Sequence, residues 1–236
     1  MKIAADPIKL NCTEPDIYNR LLSLDNKHIL ELGCGSADIT RDIASSGSGR
    51  NIIALEVDSI AHDKNLQISD LPNVSFQLAG AENIPLTDQS MDVVLMFKSL
   101  HHVPLNLMDQ SLQEIHRVLK PGGKLYISEP VFAGEFNEIL CLFHDEQQVR
   151  EAAFKATQKA VADGLFILVE QIFFNAARRF ENFSEFENRI LNATHTEHEL
   201  DDKLYQQVKQ RFEQYLGDDG ANFLMPIRVD LLQRPE

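Results

Sequence analysis

The chain has 236 residues, 44% of them hydrophobic and 25% charged, with a formal net charge of −14. That composition suits a folded chain with a substantial core and excludes a disordered one. The acidic balance argues against a partner held by phosphate contacts, whether nucleic acid or an anionic membrane surface.

Cys12, Cys34 and Cys141 are widely spaced and form no C-x-x-C pair, so neither a disulfide framework nor a zinc site is expected, and a reducing cytoplasm fits best. The opening MKIAADPIKL has no apolar run of signal-peptide length. The most apolar stretch, Leu165–Val169, is cut short by Glu170 and Gln171, far below the roughly 20 residues of a membrane span.

Residues 1–26 read as a polar N-terminal arm with a short helix near Asp16–Leu24. A core of residues 27–133 then repeats strand, loop and helix. His28–Leu32, Asn51–Val57, Val74–Leu78, Met91–Phe97 and Lys124–Ser128 are short apolar runs, several of them continuous, as expected of strands covered on both faces. Ile39–Ser45 and Leu107–Leu119 have helical spacing, and Pro121-Gly122-Gly123 stops the second and turns the chain into the next strand. This alternation predicts an α/β fold, a doubly wound and mostly parallel Rossmann-like sheet.

After Pro130 the texture changes. Residues 132–190 read as helical, and ten of the fourteen phenylalanines lie between Phe132 and Phe186. This predicts a helical insertion after the fifth strand, residues 134–196. Its phenylalanines suit core packing, a lid over a cleft with an apolar acceptor pocket, or a homodimer surface. Thr196-Glu197-His198-Glu199 has capping-box form, with the stripe Leu200, Leu204, Val208, Phe212 and Tyr215 behind it. Asn222–Leu232 reads as a final strand, so residues 197–236 complete the core.

The chemistry centres on Glu31-Leu32-Gly33-Cys34-Gly35, between a strand and a helix. Glycines here permit a tight turn and bring backbone N–H groups close to a ligand. A dinucleotide loop would carry a third glycine where Asp38 stands, which argues against a nicotinamide oxidoreductase. Glu31 suits a cofactor bearing an ammonium group. Glu56 ends the second strand 21 residues after Gly35, the spacing of a carboxylate that accepts both hydroxyls of a ribose; Asp58 competes for that role.

Taken together, ELGCGSADIT, LEVD, AENIPLTDQSMDVVLMF, SLHHV and EIHRVLKPGGKLYISEP resemble the class I S-adenosylmethionine-dependent methyltransferases, in particular the type 11 family that includes ubiquinone and menaquinone biosynthesis enzymes. The match spans roughly residues 28–130. The resemblance implies that Gly33, Cys34 and Gly35 back the methionine and ribose of the cofactor and that Glu56 holds the ribose hydroxyls. It places Val57 against the adenine, Ala81 and Glu82 at its edge, and Lys98 and Ser99 beside the methionine. Two residues depart from the family pattern. Ala37 replaces a glycine, which is tolerable if its φ is negative, and Gly80 replaces an aspartate, which takes an acceptor from the adenine amino group.

His101 and His102 follow the fourth strand, where one of them could take a proton from an acceptor; packing and solvation are the competing reading. His195 and His198 are read as a solvated helix start, so no metal is expected. No Asp/Asn-Pro-Pro-Tyr segment follows the fourth strand, which disfavours amino methylation of adenine or glutamine. The expected function is methyl transfer to a small apolar or aromatic molecule. The alternative is a cofactor-binding module of the same fold that regulates a partner.

Overall fold

The computed structural model describes residues 1–192 and 200–236. Helix α1 (Glu14–Leu21) is started by a capping box: Thr13 accepts from the Asp16 N–H, and the Asp16 carboxylate accepts from the Thr13 N–H. Then follow β1 (His28–Leu32), α2 (Asp38–Ser45), β2 (Asn51–Glu56), α3 (Ser59–Asn65), β3 (Val74–Leu78), β4 (Met91–Phe97), α4 (Met108–Val118) and β5 (Leu119–Pro130). The second half holds α5 (Glu135–Leu140), α6 (Gln147–Ala162), β6 (Ile167–Phe180), α7 (Phe183–Phe186), α8 (Asp202–Glu213), β7 (Leu216–Gly217) and β8 (Gly220–Gln233).

The strands form one sheet in the order β3-β2-β1-β4-β5-β8-β6, with the short β7 beside β8. Strands β1 to β5 pair in parallel, and β8 runs antiparallel to both β5 and β6. The expected doubly wound, mostly parallel sheet is present. Its central strands are continuous apolar runs because both faces are covered: Leu30 and Val94 face one layer, Ile29 and Val93 the other, all 3% exposed or less. The strand order reverses between β1 and β4, which opens a crevice at their C-terminal ends.

Two expectations need correction. The stretch read as a helical insertion contains β6, a 14-residue strand paired with β8 from Ile167 to Phe180. Helices occupy only the segments on either side of it. Phe174 and Phe180 sit an even number of residues apart on this strand, so both point to the same face, and both are buried. The N-terminal arm is also no separate element. Asn175 of β6 bridges to Asn11, and Ile17 and Tyr18 of α1 are core residues.

The β6–β8 ribbon outruns the sheet. Strand β5 pairs with β8 only from Ile227 onward, whereas β6 also pairs with Ala221–Pro226. Around that overhang Phe136, Phe180, Phe183, Phe186, Phe212 and Phe223 build a third core, all 8% exposed or less. Burial inside one chain removes Phe136, Phe180, Phe183 and Phe186 from both the lid-lining and the dimer-surface readings. Helix α8 carries the expected stripe through Val208 and Phe212, capped by Asp201, whose carboxylate accepts from the Leu204 N–H. The capping segment Thr196–Glu199, with His195 and His198, lies outside the described residues.

Candidate active site

The loop after β1 begins with two glycines that serve different purposes. Gly33 has φ +71°, and a Cβ there would lie 2.7 Å from the Ser99 Cβ. Glycine is therefore required by packing against the end of β4. The Ser99 hydroxyl donates to the Leu32 carbonyl at 2.7 Å, and the Gly33 and Cys34 N–H groups donate to the Leu55 carbonyl. Gly35 has φ +54°, and a Cβ there would meet no atom within 4 Å, so the missing side chain leaves open space in front of the backbone.

Glu56 ties this loop to β2. One carboxylate oxygen accepts from the Gly35 N–H at 2.6 Å, and the other from the Val57 and Asp58 N–H groups at 2.8 and 2.9 Å. An ionised carboxylate offers about four acceptor sites, so one remains, on the oxygen that faces Gly35. Asp58 also lines the cavity, but its Oδ1 caps α3 by accepting from the Ile60 and Ala61 N–H groups. Asn65 completes the cradle by donating to the Gly35 carbonyl at 2.8 Å.

A cavity of about 1200 Å³ opens in front of this loop. Of the ten expected site residues, Gly33, Gly35, Glu56, Val57, Ala81, Glu82, Lys98 and Ser99 line it. Val57 and Ile60 present bare apolar surface, 67% and 58% exposed, with Ala79 and Ala81 also on the cavity wall. Apolar walls beside a carboxylate and an open backbone cradle suit an aromatic base joined to a ribose, so the residues present fit an adenosyl cofactor. The volume exceeds the roughly 300–1,000 Å³ of a typical small-molecule site, which leaves space for a second molecule.

Glu31 and Cys34 do not line the cavity. Glu31 is buried behind the loop and accepts from the Thr40 hydroxyl at 2.7 Å. Burial pushes its carboxyl up to about 7, against the lowering by Thr40. The Cys34 thiol packs against Asn65 and is pushed up to about 12, chiefly by burial, so it is an inert thiol. Ala37 does not meet the condition set for it. Its φ is +61°, in the left-handed region that costs a non-glycine residue about 1–2 kcal/mol, and the fold holds it there at the start of α2. Lys98 also has a positive φ, +55°, at the cavity wall.

At the expected adenine edge, a Cβ on Gly80 would lie 2.2 Å from the Glu82 carboxylate. Glu82 thus folds an acceptor over the place where an aspartate side chain would begin. Sequence reasoning named Gly80 and Glu82 but not their contact, and it missed Asn65, Ile60 and Ala79, which the fold brings to the cavity wall.

The histidine pair divides. His101 is buried, and both ring nitrogens face carboxylates: Nδ1 contacts Glu129 and Nε2 lies 3.6 Å from Glu146. Burial by itself would depress the imidazole, but Glu129 and Glu146 outweigh it and raise it to about 9. His101 is buried and does not line the cavity, so it is not placed to take a proton from a molecule there. His102, with its ring 4.1 Å from that of His101, lines the cavity together with His144.

Residues 30–127 match the family model described as a methyltransferase domain. The chain is 31% identical over 127 residues to the methyltransferase GfsG of Streptomyces halstedii, covering 52% of this chain and 45% of that one. It is 33% identical over 122 residues to the ubiquinone/menaquinone biosynthesis C-methyltransferase UbiE of Rickettsia felis, covering 48% of each. The chain thus spans about half the length of the curated relatives it matches. Among solved structures, the Bacillus halodurans protein BH2331 aligns over 94% of this chain and 99% of its own, with TM-score 0.66 and 15% identity. The [4+2]-cyclase SpnF aligns over 93% of this chain and 79% of its own, with TM-score 0.60 and 19% identity. These two likenesses concern the fold alone. Over residues 30–127 the chain is thus similar to methyltransferase domains.

Proposed function

We propose that this protein binds S-adenosylmethionine in the cavity in front of Gly35 and transfers its methyl group to a small molecule with an apolar body. The observation that carries the reading is the junction of the Glu56 carboxylate, the open Gly35 backbone and the exposed Val57 and Ile60 in one cavity. Glu56 would take a ribose hydroxyl on its free acceptor site, Glu82 the adenine amino group, and the Val57 and Ile60 side chains the faces of the base. Lys98 and Ser99 would border the methionine. When bound, the cofactor supplies a methyl group already activated on a sulfonium, so the protein needs chiefly to position the acceptor and exclude water.

Beyond the methionine end, Met96, Val103 and Pro104 give apolar wall, and His102 and His144 the polar groups. That combination suits a molecule whose apolar frame is gripped while one polar atom faces the imidazoles. Calorimetry with S-adenosylhomocysteine, followed by mass-spectrometric detection of methyl transfer to a panel of phenols, quinols and hydroxylated lipids, tests the reading. Absence of cofactor binding in the folded protein would overturn it.

A second reading draws on SpnF, a protein of the same fold named for a cyclisation: the domain holds the cofactor without using its methyl group. Cofactor binding with no methyl transfer to any of the panel would favour it.

A further inference from the structure

Two loops far apart in the chain meet beside the cavity, and each gives it one lining histidine. His101 and His102 lie on the single 3-10 turn after β4, and His144 and Glu146 lie on the turn between α5 and α6. One ligand-capable atom from each of His101, His102 and Glu146 falls within 4.8 Å of the others. His144 stands just outside that group of three, with its Nε2 hydrogen-bonded to the Glu146 Oε1 at 2.9 Å.

The groups are held from behind. Glu129, itself 1% exposed, contacts the Nδ1 of His101 and accepts from the Leu100 N–H, which fixes the ring and turns Nε2 toward the cluster. Arg150 grips the other oxygen of Glu146 through Nε and Nη2 at 3.1 and 2.6 Å, and its Nη1 donates to Asn137 at 2.8 Å. The Oε1 of Glu146 is thereby aimed at His101. A carboxylate behind a histidine, and a fixed partner behind a ligating carboxylate, are the outer-shell arrangement of metal sites. The 3.6 Å between the His101 Nε2 and the Glu146 Oε1 is too long for a hydrogen bond. It is close to the roughly 3.3 Å edge of a tetrahedron of ligands about 2.0–2.1 Å from zinc.

We propose that His101, His102, His144 and Glu146 form a binding site for one divalent transition-metal ion, with zinc(II) the best match, at the acceptor end of the cavity. Three imidazoles and a carboxylate are a borderline donor set suited to zinc rather than to magnesium or calcium. The site joins the α5–α6 segment to the turn after β4. Since His102 and His144 line the cavity, a bound ion would stand at its wall, where an acceptor oxygen could reach it. Metal binding here is independent of methyl transfer and is measured without it.

The protein, stripped with a chelator, is titrated with cobalt(II) and with zinc(II), followed by visible absorption and calorimetry. One equivalent of cobalt should bind with the intense visible bands of a four-coordinate site, and zinc should displace it. His102→Ala and His144→Ala should each weaken binding at least about tenfold. Glu129→Gln, which touches no ion, should weaken it by about 10–100-fold, as outer-shell changes do. The His144 side chain is partly exposed, 35%, so its variant keeps the test valid if Glu129→Gln does not fold. Binding weaker than millimolar overturns the proposal. So does affinity unchanged in both histidine variants, which puts the ion elsewhere. A His101 ring that stays doubly protonated by nitrogen NMR on adding zinc also overturns it, since a proton then holds the place between Glu129 and Glu146.

Discussion

Replacing Glu56 by alanine separates the cofactor reading from any other use of this cavity. In the folded protein the carboxylate satisfies the N–H groups of Gly35, Val57 and Asp58 and keeps one acceptor site toward the cavity. Losing a hydrogen bond to a charged group costs about 1.5–3 kcal/mol. The affinity for S-adenosylhomocysteine should therefore fall by roughly 10- to 150-fold. The three N–H groups left behind border an open cavity and can be rehydrated, which keeps the folding cost near 1–3 kcal/mol. For a chain of this size each kcal/mol is worth roughly 2–4 °C in melting temperature. Calorimetry at a temperature well below the mutant's melting point measures binding by itself. Asp58→Ala is the control: it removes the α3 cap for about 1 kcal/mol of stability and should leave the affinity within a few-fold. An unchanged affinity in Glu56→Ala, or an equal loss in Asp58→Ala, would refute the assignment of the ribose to Glu56.

The two loop glycines should fail differently. Gly33→Ala collides with Ser99 and should lower the melting temperature sharply. Gly35→Ala meets no atom, so it should cost only the about 1–2 kcal/mol of a left-handed residue while removing cofactor binding; the reverse pattern would move the cradle. Glu31 makes stability depend on pH. Its carboxyl rises from 4.5 to about 7 on folding, so the folded state keeps a proton that the unfolded chain gives up, and stability is lost as pH rises from 4.5 through 7. About 3 kcal/mol is at stake. Urea unfolding should show the advantage of Glu31→Gln growing between pH 5 and 8, and parallel curves would contradict the buried carboxyl. If Glu31 ionises to serve the cofactor's ammonium group, binding at pH 6 should release a proton, seen as a buffer-dependent binding enthalpy. At the adenine edge, Glu82→Ala should weaken S-adenosylhomocysteine about tenfold, the loss of one hydrogen bond, and Gly80→Asp in that background should restore it. Failure of the double variant would show that the Glu82 carboxylate is not the acceptor.

What the sequence determined by itself is what depends on neighbours in the chain. The strands His28–Leu32 and Met91–Phe97 begin and end close to where their apolar runs do, because strands inside a covered sheet are largely apolar and polar residues bound them. The glycine loop and the carboxylate of Glu56 are equally legible, since the turn and the strand end fix them locally. Tertiary structure decided the rest. Whether Ile167–Phe180 is helix or strand turned on the presence of β8 as a pairing partner more than 40 residues away in the chain. The phenylalanine-rich segment implies that its side chains are buried but not against what, and it is the overhang of the β6–β8 ribbon that makes them a third core. His101 and His102 read as a pair, yet Glu129 and Glu146 assign them opposite environments, one enclosed between carboxylates and one on the cavity wall. Long-range contacts of this kind leave no period or spacing in a sequence, because burial and charge at a site are set by whichever segments the topology brings there.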